Sequence, residues 1–197
     1  MRKLTNRDIK DLREYERERD AFRAEIIAMK QRRRIHVGDI VTLVFENATT
    51  MRFQIQEMAR AERMLRDEQI EHEIATYNEL IPDDGELSAT LFIEIDDDQA
   101  LRYWLPRLTA TQDHVHLEIG GVAGAARVTA REPDAERLTR EDETTTTVHY
   151  LKFAFTAAQR AAFADSPVRI VVDHPEYAAS TQLSTEQRHE LLGDFSA

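Results

Sequence analysis

Two histidines separated by one residue, His114-x-His116, form the most metal-like pattern in the sequence. Side chains two apart on a β-strand point to the same face, so both imidazoles can face one ion. Further ligands would have to come from elsewhere, for example from His149 or His174. The same spacing also fits a strand whose solvent side is polar, because the alternate positions are apolar. A metal site and an ordinary polar strand face therefore both stay open for His114 and His116.

Long polar side chains crowd the segment 54–63, which has helical spacing. Glu57 and Arg60 lie three residues apart and therefore share a face of the helix. Such residues can line a ligand pocket, or they can form a salt-bridged surface. The sequence leaves both interpretations open.

Carboxylates flank a histidine in Glu71-His72-Glu73, also in a helical segment. A di-iron carboxylate bundle needs Glu-x-x-His pairs on two helices. Position 69 is Gln and no second pair exists, so the pattern does not predict a di-iron centre. No local motif orders a Ser-His-Asp triad, and the catalytic residues stay unknown.

Composition excludes several classes of site. The 197 residues include no cysteine, which rules out disulfides and any iron–sulfur cluster held by this chain's own thiolates. With 26 Lys and Arg against 37 Asp and Glu, the net charge is −11. This acidic composition argues against a nucleic-acid partner, because duplex affinity depends on neutralising phosphates. No cofactor is predicted, and metal content stays open.

The charge is unevenly distributed. Residues 1–37 carry 12 Lys and Arg and 7 Asp and Glu, a net of +5, which leaves −16 on residues 38–197. The basic end includes Arg32-Arg33-Arg34. This run can be a docking surface for an acidic partner or a phosphate. Alternatively, it packs near the acidic remainder of its own fold and favours the helix dipole.

Hydrophobic periodicity predicts the elements that must position these residues. Helices are expected at 16–34, 50–66, 67–80, 99–108, 156–165 and 184–192, after a capped start near 4–9. Strands are expected at 40–45, 87–95, 114–119, 126–131, 146–155 and 168–173. Short connections between the later strands favour antiparallel pairing. We therefore predict an α+β fold, with an antiparallel sheet of about six strands and helices packed on one face.

Length and patterning predict one domain over residues 1–197, made of a basic N-terminal helical segment (1–37) and an acidic α+β body (38–197). No apolar run approaches the ~20 residues of a membrane span, and the polar N-terminus does not resemble a secretory signal. We therefore expect a cytoplasmic protein. Residues 120–124 are expected to connect a hairpin, and the polar segment 132–147 to be an exposed, mobile loop.

Several stretches of the sequence resemble an uncharacterised bacterial family. They comprise Leu4-Thr5 with Asp8-Ile9, Arg32 to Gly38, Phe45-Glu46-Asn47, Gln54 to Arg63, His72-Glu73, Thr76 to Pro82, and Gly85 to Glu94. The family is domain of unknown function 3501. The resemblance runs over most of the chain and is densest between residues 32 and 94.

The resemblance implies which residues matter. The family's polar motif residues that recur here are Glu57, Arg60, Glu62, Arg63, His72, Glu73, Tyr77 and Asn78. They fall on two successive helices joined near residues 66–67, so they can face one another across a helical hairpin. All of these residues except Glu62 are our ligand-binding candidates. A buried polar network that fixes the hairpin angle is the structural alternative.

The resemblance also implies a role in redox or oxidative-stress metabolism, in association with rubrerythrin-like or iron–sulfur proteins. We therefore expect a non-catalytic accessory protein that binds a redox partner. The alternative is a small-molecule or metal-dependent enzyme with a polar pocket between the 54–78 hairpin and the sheet. The sequence leaves open whether the chain is an enzyme and favours the non-catalytic role, and it does not predict the oligomeric state.

Overall fold

Two antiparallel sheets form the centre of the structure, a computed structural model that describes residues 1–120, 126–133 and 144–195. The first sheet has the strand order β1-β2-β3-β6, and the second has the order β5-β4-β7-β8. The strands are β1 (Arg34–Val37), β2 (Val41–Glu46), β3 (Glu86–Ile93), β4 (Val115–Ile119), β5 (Ala126–Thr129), β6 (Val148–Ala154), β7 (Val168–His174) and β8 (Tyr177–Gln182).

Side-chain capping sets the start of most helices. The helices are α1 (Leu12–Arg33), α2 (Ala48–Ala61), α3 (Asp67–Asn78), α4 (Asp98–Trp104), α5 (Ala157–Asp165) and α6 (Thr185–Leu192). Asp11 accepts two backbone N–H groups of α1, and Asn47 does the same for α2. Ser184 and Gln187 form a capping box on α6. Within the described part of the chain, no helix is both long enough and apolar enough to cross a bilayer.

The inner faces of the two sheets share one hydrophobic core. In the first sheet Leu43 pairs with Leu91 in register, and in the second Leu117 pairs with Ile170. All four side chains are fully buried. Burying each one from water contributes about 1.5–3 kcal/mol to folding. This core fixes the strand alternation, and so decides which side chains face outward towards the helices or solvent.

The two seams between the sheets are closed in different ways. At one seam, Arg131 and Lys152 form a backbone bridge. At the other, side chains of β8 bond to the backbone of β1: the Tyr177 hydroxyl donates to the Val37 carbonyl at 2.6 Å. The turn after β1 needs Gly38, with φ +71°, because a Cβ there would lie 2.2 Å from the Tyr177 hydroxyl.

A second, smaller apolar cluster joins α2 and α3 to the N-terminal segment. Its buried members are Leu4, Met51, Ile55, Ile74 and Ile81. These positions come from four separate stretches of the chain, so the α2–α3 hairpin has a core of its own beside the N-terminus. Because that core is small, polar contacts must supply part of the hairpin's attachment.

The predicted α+β fold with antiparallel pairing is confirmed, but the strand count was too low. The six predicted strands correspond to β2 to β7, and the two that were missed, β1 and β8, are edge strands. Strand β1 begins at Arg34, the last residue of the basic run, and lies within the segment 1–37 that was predicted to be helical. Strand β8 is mostly small and polar, with one aromatic residue, Tyr177, and one β-branched residue, Thr181, so its strand signal is weak. Residues 121–124 and 134–143, which hold most of the two predicted connections, lie outside the described residues.

The basic run at the end of α1 pairs with acidic residues of its own fold. Arg33 is 1% exposed, and its guanidinium donates to Asp194 at 2.6 and 2.9 Å. Arg33 and Arg32 both bind Glu190, and Arg34 binds Glu94. Burial raises the pKa of Asp194 to about 6, although the charge of Arg33 opposes that shift. The carboxylate is therefore ionised and paired at neutral pH.

We predict that Asp194→Ala lowers the free energy of unfolding by about 3 kcal/mol, because it leaves part of the buried Arg33 charge uncompensated. Urea denaturation at pH 7 measures this. The matched control is Asp20→Ala, since Asp20 is fully exposed on α1 and should change stability by less than about 0.5 kcal/mol. Equal unfolding midpoints for the two variants would contradict the assignment.

Candidate functional site

Glu57, on α2, binds two side chains of α1. The Tyr15 hydroxyl donates to it at 2.6 Å, and Arg19 donates through Nε and Nη2, both at 2.8 Å. The hydrogen bonds from Arg19 lower the pKa of Glu57, with Tyr15 adding to the shift and partial burial opposing it. Burial and the neighbouring carboxylate raise the pKa of Tyr15. The Glu57 carboxylate is therefore fully engaged in holding α1 against α2.

Arg60 and Arg63 lie farther along the same helix. Arg60 donates through Nε to Glu16 of α1 at 2.8 Å, in an exposed ion pair. Arg63, just after the helix, has φ +53°, a left-handed conformation that non-glycine residues rarely adopt. It ends α2 and turns the chain towards α3. Arg60 therefore joins Glu57 at the α1–α2 contact, whereas Arg63 lies at the tip of the hairpin.

The α3 candidates face in several directions. His72 is exposed, and Glu73 is partly buried beside it. Asn78 binds the backbone of Leu4 on both sides, accepting from its N–H at 2.8 Å and donating to its carbonyl at 3.0 Å. These two hydrogen bonds attach the N-terminal segment to α3, so the role of Asn78 here is structural. Tyr77 is partly buried and interacts with Gln54, and burial raises its pKa.

The candidates thus fall into separate groups. Glu57 and Arg60 contact α1, and Asn78 contacts the N-terminal segment. His72 and Asn78 line an open groove that also includes Lys3, Arg131 and Lys152 and lies where the hairpin meets the sheet. The described residues do not bring Glu57, Arg60, His72 and Asn78 into one shared pocket.

A buried carboxylate that the sequence patterns did not single out lies on the outer face of the first sheet. Glu46, on β2, is 4% exposed. Its Oε1 accepts from the Thr90 hydroxyl at 3.3 Å and lies 3.9 Å from Lys30 Nζ. Its Oε2 has no hydrogen-bond partner among the described residues. Such an atom is expensive to bury, so a donor at this position would stabilise the fold. Only its neighbours in space distinguish Glu46 from other carboxylates.

The two metal-ligand candidates share one carboxylate. His116 Nε2 lies 3.0 Å, and His114 Nδ1 3.3 Å, from the same Asp173 oxygen. His116 Nδ1 faces the Thr129 hydroxyl at 3.1 Å, and Arg127 donates to the second Asp173 oxygen at 2.8 Å. Burial opposes the shift, but the hydrogen bonds from His116 and Arg127 lower the pKa of Asp173. The arrangement is a charged network on an open sheet face.

No group of three or more potential ligands suited to a metal ion is found within residues 1–120, 126–133 and 144–195. His174 does not join the pair as a ligand, because its Nε2 donates to the Thr109 carbonyl at 3.0 Å and its Nδ1 accepts from Glu176. The metal interpretation of His114 and His116 stays a prediction.

A buried histidine on β6 has the order of contacts found in a hydrolase triad. His149 Nδ1 lies 3.0 Å from Glu132, and Nε2 lies 3.0 Å from the Thr145 hydroxyl. However, Nε2 also faces the Thr146 carbonyl at 3.1 Å, which requires it to donate. A nitrogen that donates cannot act as the base for a hydroxyl. The side chains of His149 and Glu132 are each 1% exposed, so their contact is structural.

We predict that Glu57→Gln lowers the free energy of unfolding by about 1–2 kcal/mol at pH 7, through loss of the charged hydrogen bonds from Arg19. The lowered pKa makes this contribution complete above the ordinary value of 4.5, and it is lost as pH falls through the folded pKa. Urea denaturation at pH 7 and pH 3 should therefore show the difference from wild type shrinking in acid. Glu68→Gln, at an exposed carboxylate of α3, is the control. A difference that grows in acid, or equals that of the control, would contradict the pairing.

Comparison with known proteins gives a family and a fold but no activity. A search of curated proteins finds no match. Among solved structures, the chain is similar to a novel protein of unknown function from Burkholderia pseudomallei, with 33% identity and a TM-score of 0.88 over 98% of this chain and 99% of that one. The family model described as "Protein of unknown function (DUF3501)" matches residues 3–195. The chain therefore belongs to the DUF3501 family of proteins of unknown function.

Proposed function

We propose that this chain is a non-catalytic accessory protein of the cytoplasm that binds a partner in redox or oxidative-stress metabolism. The observation that carries the proposal is the engagement of the family-motif residues. Glu57, Arg60 and Asn78 are each bound by another segment of the same chain. Side chains used in this way support a binding scaffold, whereas a catalytic site keeps reactive groups free to meet a substrate.

The hairpin tip offers a contact point for such a partner. Leu65 lies two residues after Arg63, whose backbone is in the left-handed conformation. Its side chain is 82% exposed, more than any other large apolar side chain of the described residues. Arg63 and Arg66 flank it and form no ion pair within the described part of the chain. An exposed leucine between arginines is suited to an apolar pocket with acidic edges.

The class of partner comes from the family resemblance. It implies an iron–sulfur protein or a rubrerythrin-like protein, and the absence of cysteine means that thiolate ligands to a cluster would belong to the partner. An accessory role fits a chain that has charged surfaces and no thiolates.

We predict that the tagged full-length chain, purified from its native host in mild salt, retains an iron-containing partner in stoichiometric amount. Leu65→Glu should release that partner by placing a charge in an apolar contact. Ile27→Glu, at a half-exposed position on α1, should retain it. Mass spectrometry and iron analysis identify the retained protein.

Recovery of this chain alone, at full yield and in mild salt, would contradict the accessory role. If Leu65→Glu and Ile27→Glu both retain the partner, the accessory role is still supported, but the hairpin tip is not the contact point.

The second candidate is a small-molecule or metal-dependent enzyme with a polar pocket between the 54–78 hairpin and the sheet. The groove lined by His72, Asn78 and Lys152 favours it, as does the unpartnered oxygen of Glu46. The engagement of Glu57 and Arg60 by α1 weighs against it.

We predict that the untagged protein contains only substoichiometric transition metal, because the described residues hold no set of three suitable ligands. Elemental analysis of protein purified without a histidine tag measures this. One equivalent of metal that survives dialysis and is lost in His116→Ala would contradict the prediction and favour the second candidate.

A further inference from the structure

A cleft lies at the basic end of the chain, between the N-terminal turn, α1 and α2. Its volume is about 360 Å³, which falls at the lower end of the range for small-molecule sites. The lining includes Tyr15 and Gln56, each 2% exposed, and the apolar side chains of Ala21 and Phe22. The cleft therefore combines an apolar wall with a buried polar base.

The buried polar groups of this cleft already have partners, so they fix its shape. The Tyr15 hydroxyl donates to Glu57 at 2.6 Å. Gln56 accepts from the Lys10 N–H at 2.7 Å and donates to the Lys10 carbonyl at 3.2 Å. These bonds join the N-terminal turn, α1 and α2 around the cleft. A site held in shape before binding loses less conformational entropy when a ligand enters.

Two arginines of the lining have no carboxylate partner. Neither Arg17, on α1, nor Arg52, on α2, forms an ion pair with any described residue. The Arg52 guanidinium lies 4.8 Å from the centroid of the Phe22 ring, in a cation–π contact. The planar guanidinium fork matches a carboxylate, and the neighbouring ring offers an apolar surface to the rest of a ligand.

The ion pairs around the cleft leave two cations and one carboxylate of its lining unpaired. The lining carries three cations, Lys10, Arg17 and Arg52, and three carboxylates, Asp8, Glu18 and Glu25, so its formal charge is zero. Asp8 is bound by Arg2, and Lys10 is bound by both Glu18 and Glu14. Arg17, Arg52 and Glu25 form no ion pair with a described residue, which leaves two guanidiniums against one carboxylate. A ligand with one negative charge would balance these unpaired groups, whereas a dianion would leave a net negative charge and be repelled by the Glu25 carboxylate.

We propose that this cleft binds a small organic monocarboxylate, whose carboxylate is held by Arg52 and Arg17 and whose apolar body packs on Phe22. The site is not among the family-motif residues, and the proposal does not depend on the accessory role of the chain. Binding here would also add contacts among the N-terminal turn, α1 and α2, since all three contribute to the lining.

The test is an amide NMR titration of the uniformly labelled full-length chain with benzoate. We expect saturable shifts centred on residues 17–25 and 52–56. Benzamide has the same shape without the charge, and should bind at least ~10-fold more weakly because a charged hydrogen-bond pair is lost. Inorganic phosphate has no apolar body and should likewise bind more weakly than benzoate.

Arg52→Gln and Arg17→Gln should each weaken benzoate binding, Arg52→Gln by about 10-fold. Arg23→Gln is the matched control, since Arg23 is exposed on α1 outside the cleft and should leave the affinity unchanged. The spectra themselves show whether each variant is folded. Unsaturable shifts, equal binding of benzamide, or equal affinities in Arg52→Gln and Arg23→Gln would each overturn the proposal.

Discussion

Arg33 is the largest fully buried side chain of the described residues, and a buried guanidinium is costly unless every donor has an acceptor. Asp194 and Glu190 supply carboxylates, and the Phe45 carbonyl of β2 lies 3.4 Å from Nη1. One side chain therefore fastens the end of α1 to the first sheet and to the C-terminal segment. Phe195, next to Asp194, packs on Phe155 with ring centroids 4.9 Å apart. The charged contact and the aromatic contact hold the same segment.

Helix α1 connects the Arg33 contacts with the α2–α3 hairpin. One end of α1 is fixed by Arg33, and its other end holds α2 through Tyr15, Arg19 and Glu57. The elements that carry the family-motif residues are therefore attached largely by charged and polar contacts beside a small apolar cluster. Such contacts define geometry as well as adding stability, since a charged hydrogen-bond pair holds its two side chains in one arrangement. This favours a role in which the hairpin presents a defined surface.

Much of the fold was predictable from the sequence because strands β2 to β7 and the helix caps depend on local patterns. The period-two alternation and the capping residues Asn47 and Ser184 need no information about the rest of the chain. The division into two sheets was not predictable, because it depends on the pairing of strands far apart in sequence, such as β4 with β7. Of the four edge strands, β5 and β6 were predicted and β1 and β8 were missed. An edge strand pairs on one side only and needs less apolar character; β1 is four residues that continue the basic run, and β8 is mostly small and polar.

The candidate site was predictable only as a set of residues. The family resemblance singled out Glu57, but its partner Arg19 lies 38 residues earlier, and no spacing rule joins the two. Glu46 belongs to no chemical motif in the sequence. That one of its oxygens is buried without a hydrogen-bond partner becomes visible only when its neighbours in space are known. Arg17 and Arg52 likewise resemble other arginines in the sequence, and only the fold shows that they line the same cleft.

Hydrogen exchange measured by mass spectrometry on Arg33→Met tests most directly whether the anchoring of α1 supports the hairpin. The substitution keeps an apolar stem but leaves Asp194 without its guanidinium partner. If Arg33 anchors the hairpin through α1, exchange should be faster in α1, α2 and α3, with β2, β3 and β7 remaining protected by the central core. Faster exchange confined to the C-terminal segment, with α2 and α3 unchanged, would contradict this anchoring role.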